Sequence, residues 1–358
     1  MSLDTPPILN AVDEARRQAD ICNACRYCEG YCDVFPAMFR ERAFSDADIT
    51  QLANLCHNCR GCYYACQYTE PHHFALNLPA ALAEVRAESW ERYAWPAPAG
   101  GLFHRSGVAV AAALVVGIAL LLLFVRGMGP TVGDGFYAYL SHAVMVAIFA
   151  PAFLFPVMAL AMGVRRYWRD VGGGPVRWRD LREAGRRTAN MRNLAGGGDG
   201  CNFEEGDRFT GARRYAHQAT LLGFLLCFAS TSSGTVLHYL FDMKAPYGFF
   251  SLPKLLGVPG GILLTVGAFW LAWLKTKADP ALGASGRWGG EMAFVLLLGA
   301  TGLTGLALYA ATGTALVESL LVLHLGTVLT LFLLIPYSKM AHGAYRYAAL
   351  VRDAAVRG

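Results

Sequence analysis

Residues 21–32 read ICNACRYCEGYC and residues 55–68 read LCHNCRGCYYACQY, so eight of the ten cysteines fall into two copies of one spacing. Cys22, Cys25, Cys28 and Cys32 form the first C-x2-C-x2-C-x3-C run, and Cys56, Cys59, Cys62 and Cys66 form the second. Three cysteines at intervals of three can all turn into one cavity from a short loop. The fourth is expected to start a helix and swing across to the neighbouring site. In the bacterial two-cluster arrangement, Cys22, Cys25, Cys28 and Cys66 hold one 4Fe–4S cluster, and Cys32, Cys56, Cys59 and Cys62 hold the other. Zinc sites instead pair two C-x2-C knuckles across a longer gap. A disulfide framework needs an oxidising compartment, and the N-terminal MSLDTPPILN lacks the basic-then-apolar layout of a signal peptide.

Asp33 and Gln67 stand where a proline often follows the fourth cysteine, with Pro36 and Pro71 further on. Between the motifs, Ser45-Asp46-Ala47-Asp48 opens a run with apolar positions at Ile49, Leu52, Ala53 and Leu55. That pattern predicts a capped helix and favours a helical ferredoxin module over a strand-rich one. A short helix is expected at 80–87, followed by an aromatic, proline-bearing stretch, Trp90 to Trp95-Pro96, suited to a membrane interface.

The remainder is a different material. Hydrophobic residues make up 55% of the chain and charged residues only 16%, and six stretches free of Asp, Glu, Lys and Arg are each about long enough to span a bilayer. They are 106–125, 136–164, 215–241, 255–274, 292–317 and 319–338, with a turn expected at Thr312-Gly313-Thr314. The fold class is therefore mainly α: an N-terminal helical two-cluster ferredoxin-like domain (1–90), a linker at the membrane interface (91–105), and a six-helix transmembrane, cytochrome b-like bundle (106–345). A cytoplasmic Arg-rich connector occupies 165–214 and a cytoplasmic tail 346–358. The connector holds twelve arginines against seven acids, whereas the opposite connectors are poor in basic residues. The positive-inside rule then places both termini in the cytoplasm of a multi-pass inner (cytoplasmic) membrane protein. The net charge of +5 comes mainly from this connector. It reports topology and contact with the lipid bilayer, and nothing points to nucleic acid.

His142, His238 and His324 lie toward the outer ends of spans, while His217 and His342 lie at the cytoplasmic face. Ionisable side chains inside apolar spans are costly and usually functional. His217 and His238 share one span, separated by about 31 Å of helix, and His324 and His342 are separated by about 27 Å on the same rise. That layout suits haem b, one or two, held by histidine pairs from facing helices. Hydrogen bonding to a neighbouring helix, or contact with a quinone headgroup, is the competing reading for each histidine. His57, His72 and His73 adjoin the cysteines and are read as tuning or capping groups, while His104 is left open. Lys254 suits contact with a quinone or a haem propionate, or snorkelling to the headgroups. The Ser230–Thr235 stretch is read as bonding to its own helix, Gly196–Cys201 as a flexible connector, and Cys201 and Cys227 as free thiols.

The two cysteine motifs, the GGGDGC connector, RRYAHQ leading into LCFAST, HYLFDMKAPYGFFSLPKLLG and IPYSKMAHGAYR together resemble the tricarballylate utilization protein B family over nearly the whole length. The resemblance implies a subunit that takes electrons from a partner FAD-dependent dehydrogenase oxidising tricarballylate to cis-aconitate and passes them through two clusters and haem to the membrane. The residues agree: with no dinucleotide fingerprint, this chain is expected to conduct electrons to quinone while another subunit does the substrate chemistry. The alternatives are service to a different flavin enzyme, such as one in cobalamin-type biosynthesis, a membrane redox sensor, or a transporter with an iron–sulfur appendage.

Overall fold

The computed structural model describes residues 9–96, 100–127, 135–195 and 208–358. Among the described residues the elements are helices, with no β-strand. Helix α1 (Ala11–Cys25) is capped by Asn10, whose Oδ1 accepts the Asp13 N–H at 2.8 Å. It ends at Arg26 in the left-handed conformation. Helix α2 (Val34–Met38) follows Cys32, as the motif requires of its fourth cysteine. Helix α3 (Asp46–Leu55) starts with the Ser45–Asp48 capping box read from the sequence. After α4 (Gly61–Tyr64) the second motif departs from expectation. No helix starts at Cys66; the chain turns through residues 67–76, closing with the Leu76 N–H on the Tyr68 carbonyl at 2.9 Å.

Helix α5 (Leu78–Tyr93) is twice the length expected at 80–87, because the Asn77 side chain caps it and the apolar face continues through Tyr93. Ala15 and Ala19 of α1, Ile49 and Leu52 of α3, and Leu82 and Val85 of α5 make the small core of this domain.

Six further helices have the length and apolarity to cross a bilayer, as expected of a multi-pass membrane protein. They are α6 (Gly100–Gly127, broken at Ser106), α7 (His142–Asp170), then, after the polar α8 (Trp178–Asn190), α9 (Ala212–Phe241), α10 (Leu252–Lys277), α11 (Trp288–Ala310) and α12 (Val317–Leu334). Several run past the charge-free windows, since a helix ends at its caps rather than at its first charge. α7 starts later than its window because Ser141 caps it. The expected turn at 312–314 separates α11 from α12, with Gly313 at φ +85°. Leu120, Leu121 and Phe124 point outward, each more than half exposed, as lipid-facing side chains do. α10 packs between α9 and α11, α6 against α11 and α12, and α7 against α12. Where α9 meets α10, a Cβ on Gly223 would sit 2.3 Å from the Leu264 nitrogen, so only glycine permits that approach.

The chain closes with α13 (His342–Arg357). Residues 346–358, expected as a tail, are the greater part of this helix, which packs against α3, α7 and α8 with Ala349, Leu350, Val351 and Asp353 buried. Tyr93, Tyr167 and Tyr345 meet at the junction, with ring centroids 5.7 Å (93–167) and 5.9 Å (167–345) apart. The Tyr167 hydroxyl donates to Gln51 Oε1 at 2.5 Å. The Arg-rich connector is drawn into the same junction. Asp353 accepts from Arg40 at 2.6 Å, from Arg187 at 2.9 Å, and from Arg357. Arg187 also lies 3.7 Å from Asp33, beside Cys32. Part of the connector's charge therefore folds the cysteine domain onto the bundle instead of facing lipid.

Candidate functional site

The eight motif cysteines line two adjoining hollows. The first, about 310 Å³, is walled by Cys22, Cys25, Cys28 and Cys66. The second is closed down to about 20 Å³ and is walled by Cys32, Cys56, Cys59 and Cys62. The hollows share Cys62, Phe35 and Leu78 as a common wall. Cys66 lines the hollow of the first motif and Cys32 that of the second, while Cys62 lines both. Left-handed backbone at Arg26, Asn58 and Arg60 bends the loops tightly enough for this. Among the described residues, no three His, Cys, Asp or Glu side chains converge as a single metal ion requires. Each quartet rings a space instead.

The donor chemistry fits an iron–sulfur cluster in both places. Burial, then the charges of Cys66, Cys28 and Cys25, push the Cys22 thiol up to about 12. Burial and the same crowding raise Cys28 to about 12, and Cys32 and Cys62 also lie well above the ordinary range. Four thiolates packed this closely require bound positive charge, which is what cluster iron supplies. Backbone N–H groups already point at the sulfurs: Asn58 toward Cys56 Sγ and Tyr68 toward Cys66 Sγ, both at 3.4 Å. His57 is not placed as a ligand. Its Nδ1 donates to the Leu55 carbonyl at 2.7 Å.

Below the second hollow lies a cavity of about 410 Å³. His57, Asn58 and Arg60 form its roof, and Leu221, Phe224, Phe294 and Leu298 give it an apolar floor in the bundle. His217 of α9 and His342 of α13 face each other across it, with centroids 5.8 Å apart and ring planes at 83°. Metal–imidazole bonds of about 2.0 Å would set two ligating rings roughly 6 Å apart, and the spacing of this pair fits that distance. His342 Nδ1 donates to the Lys339 carbonyl, leaving Nε2 bare for a ligand bond. Burial, then the Arg346 charge, hold His342 well below its usual pKa and therefore neutral. His217 Nδ1 is buried and has no hydrogen-bond partner among the described residues.

The other candidates separate from this pair. His142 and His238 meet at the far end of the bundle but stack face to face, 4.1 Å apart and within 9° of parallel. As placed, those rings leave no room for a metal between them. His324, expected near that same end, bonds instead through Nδ1 to Thr304 Oγ1 at 3.1 Å, between α11 and α12. Lys254 lies over the Tyr309 ring, 3.9 Å from its centroid, in a cation–π contact. The hydroxyls of Thr231, Ser233 and Thr235 bond to their own helix, and that of Ser230 to the Pro253 carbonyl. Cys227 is a free thiol, while Gly196–Cys201 and the His104 side chain lie outside the described residues.

Sequence reasoning passed over three arginines. Arg86, Arg213 and Arg346 reach the carbonyls of the Cys56–Asn58 turn from three different helices. A signal was present in the spacing: Arg213 and His217, and His342 and Arg346, are each four apart and so share a helix face.

Fold and site define a class: an iron–sulfur-type domain seated on a bundle of six bilayer-length helices, the build of an electron-transfer subunit. Comparison with known proteins makes the family plain. Residues 15–92 match the family model described as "Citrate utilization protein B Fer4-like domain", and residues 97–358 match "Citrate utilization protein B". The Escherichia coli protein named "Citrate utilization protein B" is 45% identical over 346 residues, covering 95% of this chain and 91% of its own length. The chain belongs to the citrate utilization protein B family. No solved structure matches it.

Proposed function

We propose that this chain is the membrane electron-transfer subunit for a partner FAD-dependent dehydrogenase of tricarboxylate utilisation, of the tricarballylate type, with quinone as final acceptor. The observation that carries the reading is contiguity. The two cysteine hollows share a wall, and the second shares His57, Asn58, Arg60 and the flanking turn with the cavity that holds His217 and His342. When bound, two 4Fe–4S clusters and haem b supply one-electron carriage; the protein sets spacing, access and potential.

Cys22, Cys25, Cys28 and Cys66 hold the outer cluster, where the exposed Cys25 and the largely exposed Tyr27 offer a partner close approach. Cys32, Cys56, Cys59 and Cys62 hold the inner one. His217 and His342 would hold haem b, and the apolar floor would keep water away from it. The cysteine domain, α8 of the Arg-rich connector and α13 pack together at one end of the bundle, and the positive-inside rule would make that end cytoplasmic in the inner membrane. The name of the Escherichia coli relative, citrate utilization protein B, supports a tricarboxylate-linked role.

The test is an absorbance spectrum of detergent-solubilised protein, oxidised and then dithionite-reduced, with a pyridine haemochrome assay. Sharp b-type bands over a broad, bleaching cluster background are expected. Cluster absorbance with no haem would return His217 and His342 to a structural or quinone role.

A further inference from the structure

The turn that carries Cys56 is held by buried or half-buried arginines from three other helices, whereas the loop of the first quartet is bonded locally, by its own exposed Arg26, whose Nε donates to the Asn23 carbonyl at 3.1 Å. Arg86 of α5 donates through Nη1 to the Ala53 carbonyl at 3.1 Å and the Cys56 carbonyl at 2.8 Å. Arg346 of α13 donates to the same Cys56 carbonyl at 3.0 Å. Arg213 of α9 forks across the next two, donating to the Asn58 carbonyl at 2.7 Å and the His57 carbonyl at 3.1 Å. Among the described residues the first hollow's walls hold no lysine or arginine, only Tyr27, Tyr63, Gln67 and Tyr68 as polar side chains beside its cysteines, whereas Arg60 stands in the wall of the second.

We propose that Arg86, Arg213 and Arg346 are positioning residues that make the second cysteine quartet the higher-potential centre and fix it against the His217/His342 pair. The inference rests on the electron-transfer reading and gives it a direction. Adding an electron to a cluster makes it more negative, and fixed guanidinium charges in a medium of low dielectric favour that reduced form. A one-electron transfer then oxidises the exposed centre and reduces the clamped one, downhill, with no proton or further reactant needed for balance. Because Arg213 and Arg346 each stand one turn from a histidine of the pair, the helices that present the imidazoles also hold the turn. The separation between the two centres is thereby set by helix geometry, not by a loop.

EPR-monitored redox titration of the full chain in detergent tests this, using wild type, R213Q, R346Q and R346K. In R213Q and R346Q one of two cluster signals should show a reduced-to-oxidised ratio about tenfold lower at fixed potential, which is 59 mV for one electron. The other signal should not move, and R346K, which keeps the charge, should stay near wild type. Unchanged signals in both glutamine variants, or equal shifts of both clusters, would overturn the proposal. If iron and sulfide analysis of the wild type finds no clusters, the electron-transfer reading falls instead. Amide hydrogen exchange over residues 53–60 then decides the clamp by itself. It quickens about tenfold in R213Q if the arginines hold the turn, and is unchanged if they do not.

Discussion

The two cysteine quartets share one spacing and sit in opposite surroundings. Around the first, Cys25 is exposed and the hollow is wide; around the second, Cys59 is 7% exposed, the hollow is tight, and three arginines grip the turn. Identical ligand patterns thus meet solvent in one case and a low-dielectric, cationic wall in the other. Potential and access depend on such surroundings as much as on the ligands themselves. A motif names the cofactor, and the fold around it decides which copy faces a partner and which faces the membrane.

The strongest break in that comparison is removal of single thiols. C22A and C66A should lose the same cluster signal although they come from different motifs, and C62A should lose the other. Each is expected to drop iron from about eight to about four atoms per chain, measured by iron analysis with EPR. Should C66A instead behave like C62A, the crossed arrangement would be wrong.

Next in size is the histidine pair beside the clamped quartet. H217A and H342A should abolish the b-type haem bands, whereas H324A, whose ring bonds to Thr304, should retain them. Equal loss in all three variants would spread the ligand role beyond the cavity.

The third comparison concerns how the clamped side is docked. Asp353 is fully buried and gathers Arg40, Arg187 and Arg357. D353N leaves those cations without their shared anion and should destabilise the junction by about 3–5 kcal/mol, read by thermal melting in detergent. The same carboxyl sets a pH dependence. Burial raises its pKa, but the Arg357 hydrogen bond and charge, then Arg40, outweigh burial and hold it below the ordinary 3.8. A depressed folded value means that its stabilisation is present above about pH 4 and lost as pH falls through the folded pKa. Melting midpoints should fall from pH 5 to pH 3 in the wild type, and less so in D353N.

The smallest effect sharpens the same junction. At Gly163 a Cβ would come 2.3 Å from the Tyr345 hydroxyl and 3.0 Å from the Tyr93 carbonyl. G163A should therefore cost about 1–3 kcal/mol by overpacking, with the iron content unchanged.

Much of this was legible beforehand, and for identifiable reasons. The Ser45–Asp48 cap and the six apolar helices follow from local rules: hydrogen-bond valence at a helix start and bilayer thickness. What the sequence left open lay where a local rule met a distant partner. Connector arginines counted as topology signals, yet Arg187 is spent on Asp353, 166 positions away. Residues 346–358 were expected as a tail, yet they form most of α13, whose Leu350, Val351 and Asp353 are buried at the junction. Two spans with a histidine near each end suggested two similar pairs. Among the described residues, the end at the cysteine domain sets His217 and His342 5.8 Å apart across a cavity; at the other end His238 stacks on His142 and His324 turns to a threonine.

Taken alone, the sequence determined what each segment is made of: eight thiols in two register-matched loops, six helices that need a hydrocarbon environment, and histidines at defined heights along them. Those are properties of spacing and composition, and spacing along a helix converts directly into distance. Only the tertiary structure decided which histidines meet, which quartet is buried, and that Arg86, Arg213 and Arg346 close on one turn. Such choices depend on how helices remote in sequence pack, where a glycine at 223 or a buried carboxylate at 353 sets the approach, and no local pattern encodes the partner across the gap.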